Sequence, residues 1–118
     1  MNDLPILDPA PLHDLLDMGG TEGLVQELIT LYQEDVPIRL ALLKTALGAL
    51  DGVQTMAEAH QLKGALGNLG LLRFADMAAS IETHAREGHL DQAPPLAEGL
   101  PVAYQEALAA LKMAFPEA

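Results

Sequence analysis

The stretch AEAHQLKGALGNLG, residues 57–70, sets one histidine, one lysine and three glycines into a segment that otherwise reads as helix. The imidazole of His60 offers a nucleophilic nitrogen, because an unperturbed histidine, with a pKa of about 6.5, is substantially neutral near pH 7. Lys63 follows three residues later, which on a helix puts its ammonium beside the imidazole. A nucleophilic nitrogen with a cation alongside suits phosphoryl transfer, a reaction that depends mainly on positioning and on stabilising charge. An exposed histidine with a neighbouring lysine is ordinary surface when nothing else accompanies it. Here Gly64 and Gly67 do, and each glycine costs a helix interior roughly 1 kcal/mol relative to alanine.

Helical periodicity divides the segment into two faces. Thr55, Ala59, Leu62, Leu66 and Leu69 form a core stripe. His60, Gly64 and Gly67 share a direction well away from it, and Val53 and Met56 extend that outward face toward the helix start. A solvated face is normally filled with good helix formers such as Glu, Lys or Gln. Glycines there serve close approach, either by a neighbouring helix or by a second molecule. A face bare beside His60 and apolar at Val53 and Met56 favours a partner protein, so Val53, Met56, Gly64 and Gly67 are the expected docking residues.

The elements that must hold this face are helical throughout. Alanine and leucine abound and strand-like alternation is absent. The expected helices cover about 10–18, 21–47, 51–69, 71–86 and 95–115. Thr21 and Asp51 have the side chains of N-caps, and Gly19-Gly20, Gly70 and Gly88 follow helix ends. Pro37 interrupts the second helix, but apolar periodicity continues on both sides, so a kink is expected. Residues 1–118 therefore read as a single all-α domain, an antiparallel up-and-down four-helix bundle with a short additional N-terminal helix.

Composition removes several classes of function. Six basic residues against 17 acidic ones give a formal charge of −11, a field that repels nucleic acid. Apolar residues make up 50% of the chain, too many for a disordered one. Cysteine is absent, which excludes disulfides and thiolate chemistry. MNDLPILDPAP lacks the pattern of a secretory signal, and no apolar run is long enough to span a bilayer, so a cytoplasmic protein is expected. No metal site is expected, since a structural zinc site wants four converging ligands. His13, His84 and His89 are expected to be solvent-exposed, and Met18, Met77 and Met113 to be packing residues.

AHQLKGALGNLG resembles the signature of the histidine-containing phosphotransfer (HPt) domain, H-x-x-K-G with a further glycine six residues on. His60, Lys63, Gly64 and Gly70 match it, and Asn68-Leu69-Gly70 is a common continuation. The likeness extends through the Glu82 region and upstream through Gly19-Gly20 and the proline-bearing second helix. It departs at Ala65-Leu66, where small or hydroxylated residues are common, and Leu66 falls on the core stripe. The resemblance implies a multistep phosphorelay, with His60 accepting a phosphoryl group from the aspartate of one response-regulator receiver domain and passing it to another. It implies that Lys63 steadies that group, that Gly64 leaves room for the partner's rim and that Gly70 is structural. It implies no cofactor on this chain, magnesium on the receiver, and a hybrid sensor histidine kinase as a further partner. A monomer is expected, without autonomous ATP-dependent kinase activity. The alternative is a phosphate-independent interaction module, for which neither His60 nor Lys63 would be needed.

One acidic residue falls awkwardly. Glu82 lies near the core stripe of the fourth helix, and a fully buried carboxylate would need a partner. The expectation is that its stem packs in a helix seam while its head reaches solvent, outside the active site.

Overall fold

A computed structural model describes residues 3–116; the outermost residues of the expected 1–118 unit lie outside it. Six α-helices are present among the described residues: α1 (Ala10–Asp17), α2 (Glu22–Gly48), α3 (Gly52–Asn68), α4 (Leu72–Arg86), α5 (Ala93–Glu98) and α6 (Leu100–Ala114). They form an antiparallel all-α bundle. The segment expected as one helix over 95–115 is divided at Gly99, after a 3-10 turn at Leu90–Gln92 and the short α5. Pro94 and Pro95 in the first turn of α5, and Pro101 in that of α6, account for two separate starts.

Local chemistry sets the helix ends. The Thr21 side chain accepts the Leu24 N–H at 3.2 Å, and the Asp51 side chain accepts the Gln54 N–H at 3.0 Å. These caps satisfy donors that the first turn of a helix leaves over. α2 continues through Pro37, which lies on its exposed side, where water can serve the carbonyl deprived of its N–H partner. α3 ends in a Schellman turn: Leu71 N–H donates to the Leu66 carbonyl and Gly70 N–H to that of Gly67. Gly70 has φ +78°, and a Cβ there would run into the Asp8 carbonyl. Asp8 N–H donates to the Gly70 carbonyl at 2.8 Å, and Arg73 Nε donates to the Leu4 carbonyl at 3.0 Å. The N-terminal segment is thereby tied across the α3–α4 turn.

α3 packs most extensively on α4 and next on α2, while α6 closes the bundle against α4 and α2. Ala59, Leu62 and Leu66 of α3 are fully buried in one core with Phe74, Ala78 and Ile81 of α4, as the periodicity requires. Each large side chain so removed from water contributes roughly 1.5–3 kcal/mol. Tyr32 of α2 stacks on Tyr104 of α6 with ring centroids 5.0 Å apart, and its hydroxyl donates to the Tyr104 carbonyl at 2.9 Å. Burial, with Tyr104 alongside, raises the Tyr32 phenol pKa well above its usual value. Of the methionines, Met77 packs against the core, whereas Met18 and Met113 are exposed. Those two sit near the ends of α1 and α6, where no further layer covers them. No helix among the described residues is long and apolar enough to cross a membrane.

Candidate functional site

His60 stands in the middle of α3 on its outward face, with 64% of its side chain exposed. The core stripe of α3 fixes this orientation, because burying Ala59 and Leu62 turns residue 60 outward. Gly64, one turn on, and Gly67 are also exposed, and a Cβ at either would meet no heavy atom within 4 Å. Neither glycine is required by packing inside the bundle. Val53 is 77% exposed on the same helix, and Leu50, in the turn before it, is equally open. Met56 is half-buried, not fully outward, because its position leans toward the seam of the bundle.

The antiparallel register of α3 and α4 brings Glu82 to this histidine. Glu82 is only 4% exposed, and its head does not reach solvent as the sequence reading expected. Its carboxylate is fully used: Oε2 lies 2.8 Å from His60 Nδ1 and accepts from Arg86 Nη2 at 2.9 Å, and Oε1 lies 2.7 Å from Lys63 Nζ. Three positively charged or donating groups supply the partners that a buried carboxylate requires. Burial pushes the Glu82 carboxyl up, but hydrogen bonds from Lys63 and His60, and the charge they bring, outweigh it and hold the group below its ordinary value.

An ionised carboxylate only accepts hydrogen bonds. The Nδ1 atom facing Glu82 must therefore carry the proton, which leaves the lone pair of a neutral ring on Nε2. Among the described residues Nε2 has no hydrogen-bond partner. The arrangement thus presents an accessible imidazole nitrogen beside the bare positions Gly64 and Gly67. Lys63 is half-buried with its ammonium on Glu82, so it reaches the imidazole's surroundings through the carboxylate they share.

The Hpt domain family matches residues 27–114, three quarters of the chain. The chain belongs to the Hpt domain family. It is similar over 98% of its length to the histidine-containing phosphotransfer protein B (HptB) from Pseudomonas aeruginosa PAO1, with a TM-score of 0.78, 26% identity and 99% of that chain covered. Comparison with curated proteins gives no match. The protein is a histidine-containing phosphotransfer protein of a two-component system. Such Hpt proteins work with receiver domains and histidine kinases.

Of the site residues read from sequence, the fold brings His60 and Lys63 together and leaves Gly64, Gly67 and Val53 open around them. Sequence reasoning missed Glu82 and Arg86. Their signals were present: an acidic residue near the core side of α4 calls for a partner, and Arg86 follows it at the i,i+4 spacing of a helical ion pair. What it lacked was the register of α3 against α4, which pairs two residues 22 positions apart. Two of the chain's six basic residues, Lys63 and Arg86, share the Glu82 carboxylate with His60. The other three histidines have different surroundings. His13 is exposed with its ring edge against Phe115, and His89 is exposed. His84, expected in solvent, is half-buried with Nδ1 sealed and unpartnered, because it turns into the packed side of α4. Among the described residues no three His, Asp or Glu side chains converge as a metal site would require.

Proposed function

We propose that His60 is the residue that carries the phosphoryl group in this Hpt protein. Nε2 takes it from the aspartyl phosphate of one receiver domain and yields it to the aspartate of another. The observation that carries this reading is the engagement of Nδ1 by buried Glu82, which leaves Nε2 as the nucleophile on a surface opened by Gly64 and Gly67. Lys63 supplies positive charge beside the transferring group, and the receiver docks over Gly64, Gly67, Val53 and the accessible part of Met56. Gly70 is structural. The protein acts as a cytoplasmic monomer, and the magnesium ion used in transfer resides on the receiver.

The test is incubation with a radiolabelled phospho-receiver, comparing wild type with His60→Gln. Wild type should acquire a label that survives alkali and is lost in acid, as a phosphoramidate is. The variant should acquire none. Full labelling of the variant would refute the assignment.

A further inference from the structure

A buried carboxylate is an expensive way to hold an imidazole in place. The oxygen of a glutamine amide would accept the same Nδ1–H and fix the same tautomer, without the cost of burying a charge. The charge therefore calls for a function of its own. Around His60 the charged groups are Lys63 on its own helix and Glu82 and Arg86 on α4. Glu82 is the one that touches the ring, through Oε2 at 2.8 Å from Nδ1.

We propose that the negative charge of Glu82 keeps the Nδ1 proton on the phosphorylated ring, so that His60 carries its phosphoryl group as an imidazolium and releases it with neutral imidazole as the leaving group. This rests on His60 being the phosphorylated residue. In the forward step the Nε2 lone pair forms the N–P bond while the P–O bond to the receiver's aspartate breaks, its electron pair leaving on the carboxylate. No proton moves, and the ring becomes positive. In the onward step an aspartate oxygen of the second receiver bonds to phosphorus and the N–P electron pair returns to Nε2. A ring that had lost its Nδ1 proton would have to depart as imidazolate, a far stronger base and a poorer leaving group. Glu82 therefore acts in both directions as a positioning residue, through His60 and without touching the phosphoryl group.

The surroundings suit this role. An opposite charge within hydrogen-bonding range favours the charged form of its neighbour by roughly 1–3 pH units, a tenfold to thousandfold change in population. Burial of Glu82 limits screening of that field by salt. Lys63 and Arg86 act against a charged ring, but an incoming phosphoryl group offers them new acceptors and leaves the carboxylate to the imidazolium.

The experiment uses the full chain as wild type, Glu82→Gln and Arg86→Gln, each phosphorylated with phosphoramidate, a small-molecule phosphoryl donor. The phosphorus resonance of phosphohistidine, followed across pH, reads protonation of Nδ1, and rapid mixing with one receiver reads onward transfer. Glu82→Gln should lose the Nδ1 proton at a pH lower by about one unit or more. Its transfer rate should match wild type at about pH 6 and fall at least about tenfold behind at about pH 8.5. Arg86→Gln, which removes an exposed competing cation, should shift the titration the other way. Superimposable titrations and rate profiles for wild type and Glu82→Gln overturn the inference and leave His60 as the phosphorylated residue. If Glu82→Gln lacks helical circular dichroism, Arg86→Gln decides: an unmoved titration overturns the inference. A label on a residue other than His60 overturns both readings.

Discussion

Gly64 and Gly67 tie stability and function together in a way that can be measured. In an exposed helix interior glycine is less favourable than alanine by about 1 kcal/mol, because it gives up more backbone freedom. A Cβ at either position would meet no heavy atom within 4 Å, so no steric cost is set against that gain. Gly64→Ala should stabilise the protein by about 1 kcal/mol, and the double variant with Gly67→Ala by about 2 kcal/mol. With an unfolding entropy of about 2.1 cal/mol/K per residue, a chain of 118 residues gains about 4 °C in Tm for each kcal/mol. Gly64→Gln should gain less, about 0.5 kcal/mol, since glutamine is a slightly poorer helix former than alanine. Its longer side chain would project beside His60, into the space assigned to the receiver. Calorimetry gives Tm, and rapid mixing with a phospho-receiver gives the transfer rate. Gly64→Gln should be more stable than wild type yet transfer at least about tenfold more slowly, equivalent to about 1.4 kcal/mol at the transition state. A variant that is stabilised and transfers at the wild-type rate would refute the docking argument. A loss of stability in the alanine variants would refute the claim that this face is open.

Gly70→Ala should act in the opposite direction. The residue must keep φ near +78°, which costs a side-chain-bearing residue about 1–2 kcal/mol, and its Cβ displaces the Asp8 carbonyl and strains the Asp8–Gly70 hydrogen bond, worth about 0.5–1.5 kcal/mol. A loss of about 2–3 kcal/mol should appear as a lower urea midpoint with an unchanged m-value. Acid should weaken the fold partly through Glu82. Its folded-state pKa is lowered, so the unfolded chain binds the proton more readily. The stability it contributes is present above the ordinary carboxyl value and is lost as pH falls through the folded value. Urea titrations from neutral to acidic pH should show a shallower acid loss in Glu82→Gln than in wild type, and equal slopes would count against the ion cluster.

Much of this protein follows from local sequence. The core stripe from Thr55 to Leu69 is enough to turn His60 outward, since one face of α3 must be buried and residue 60 is not on it. The caps at Thr21 and Asp51 and the helix end at Gly70 are equally local, because each depends on residues within a few positions. The H-x-x-K-G spacing is legible for the same reason: Lys63 and Gly64 lie within about one turn of His60. The division at Gly99 was harder to read, because apolar periodicity runs across it and two starts compete within a single proline-containing stretch. Glu82 was legible as a carboxylate in need of a partner, but not as a neighbour of His60. Its pairing with His60 requires a particular register between α3 and α4, set by the interlocking of Leu62, Leu66, Phe74, Ala78 and Ile81 and by the tight turn at Gly70. Which ring nitrogen holds the proton, and where Lys63 and Arg86 rest, follow from that carboxylate. Sequence alone determined that His60 stands on an outward helical face with Lys63 and Gly64 within a turn of it. Only the packing of α3 on α4 decided which nitrogen is free, because an electrostatic partner 22 residues away is brought into contact by the fold and not by helical spacing.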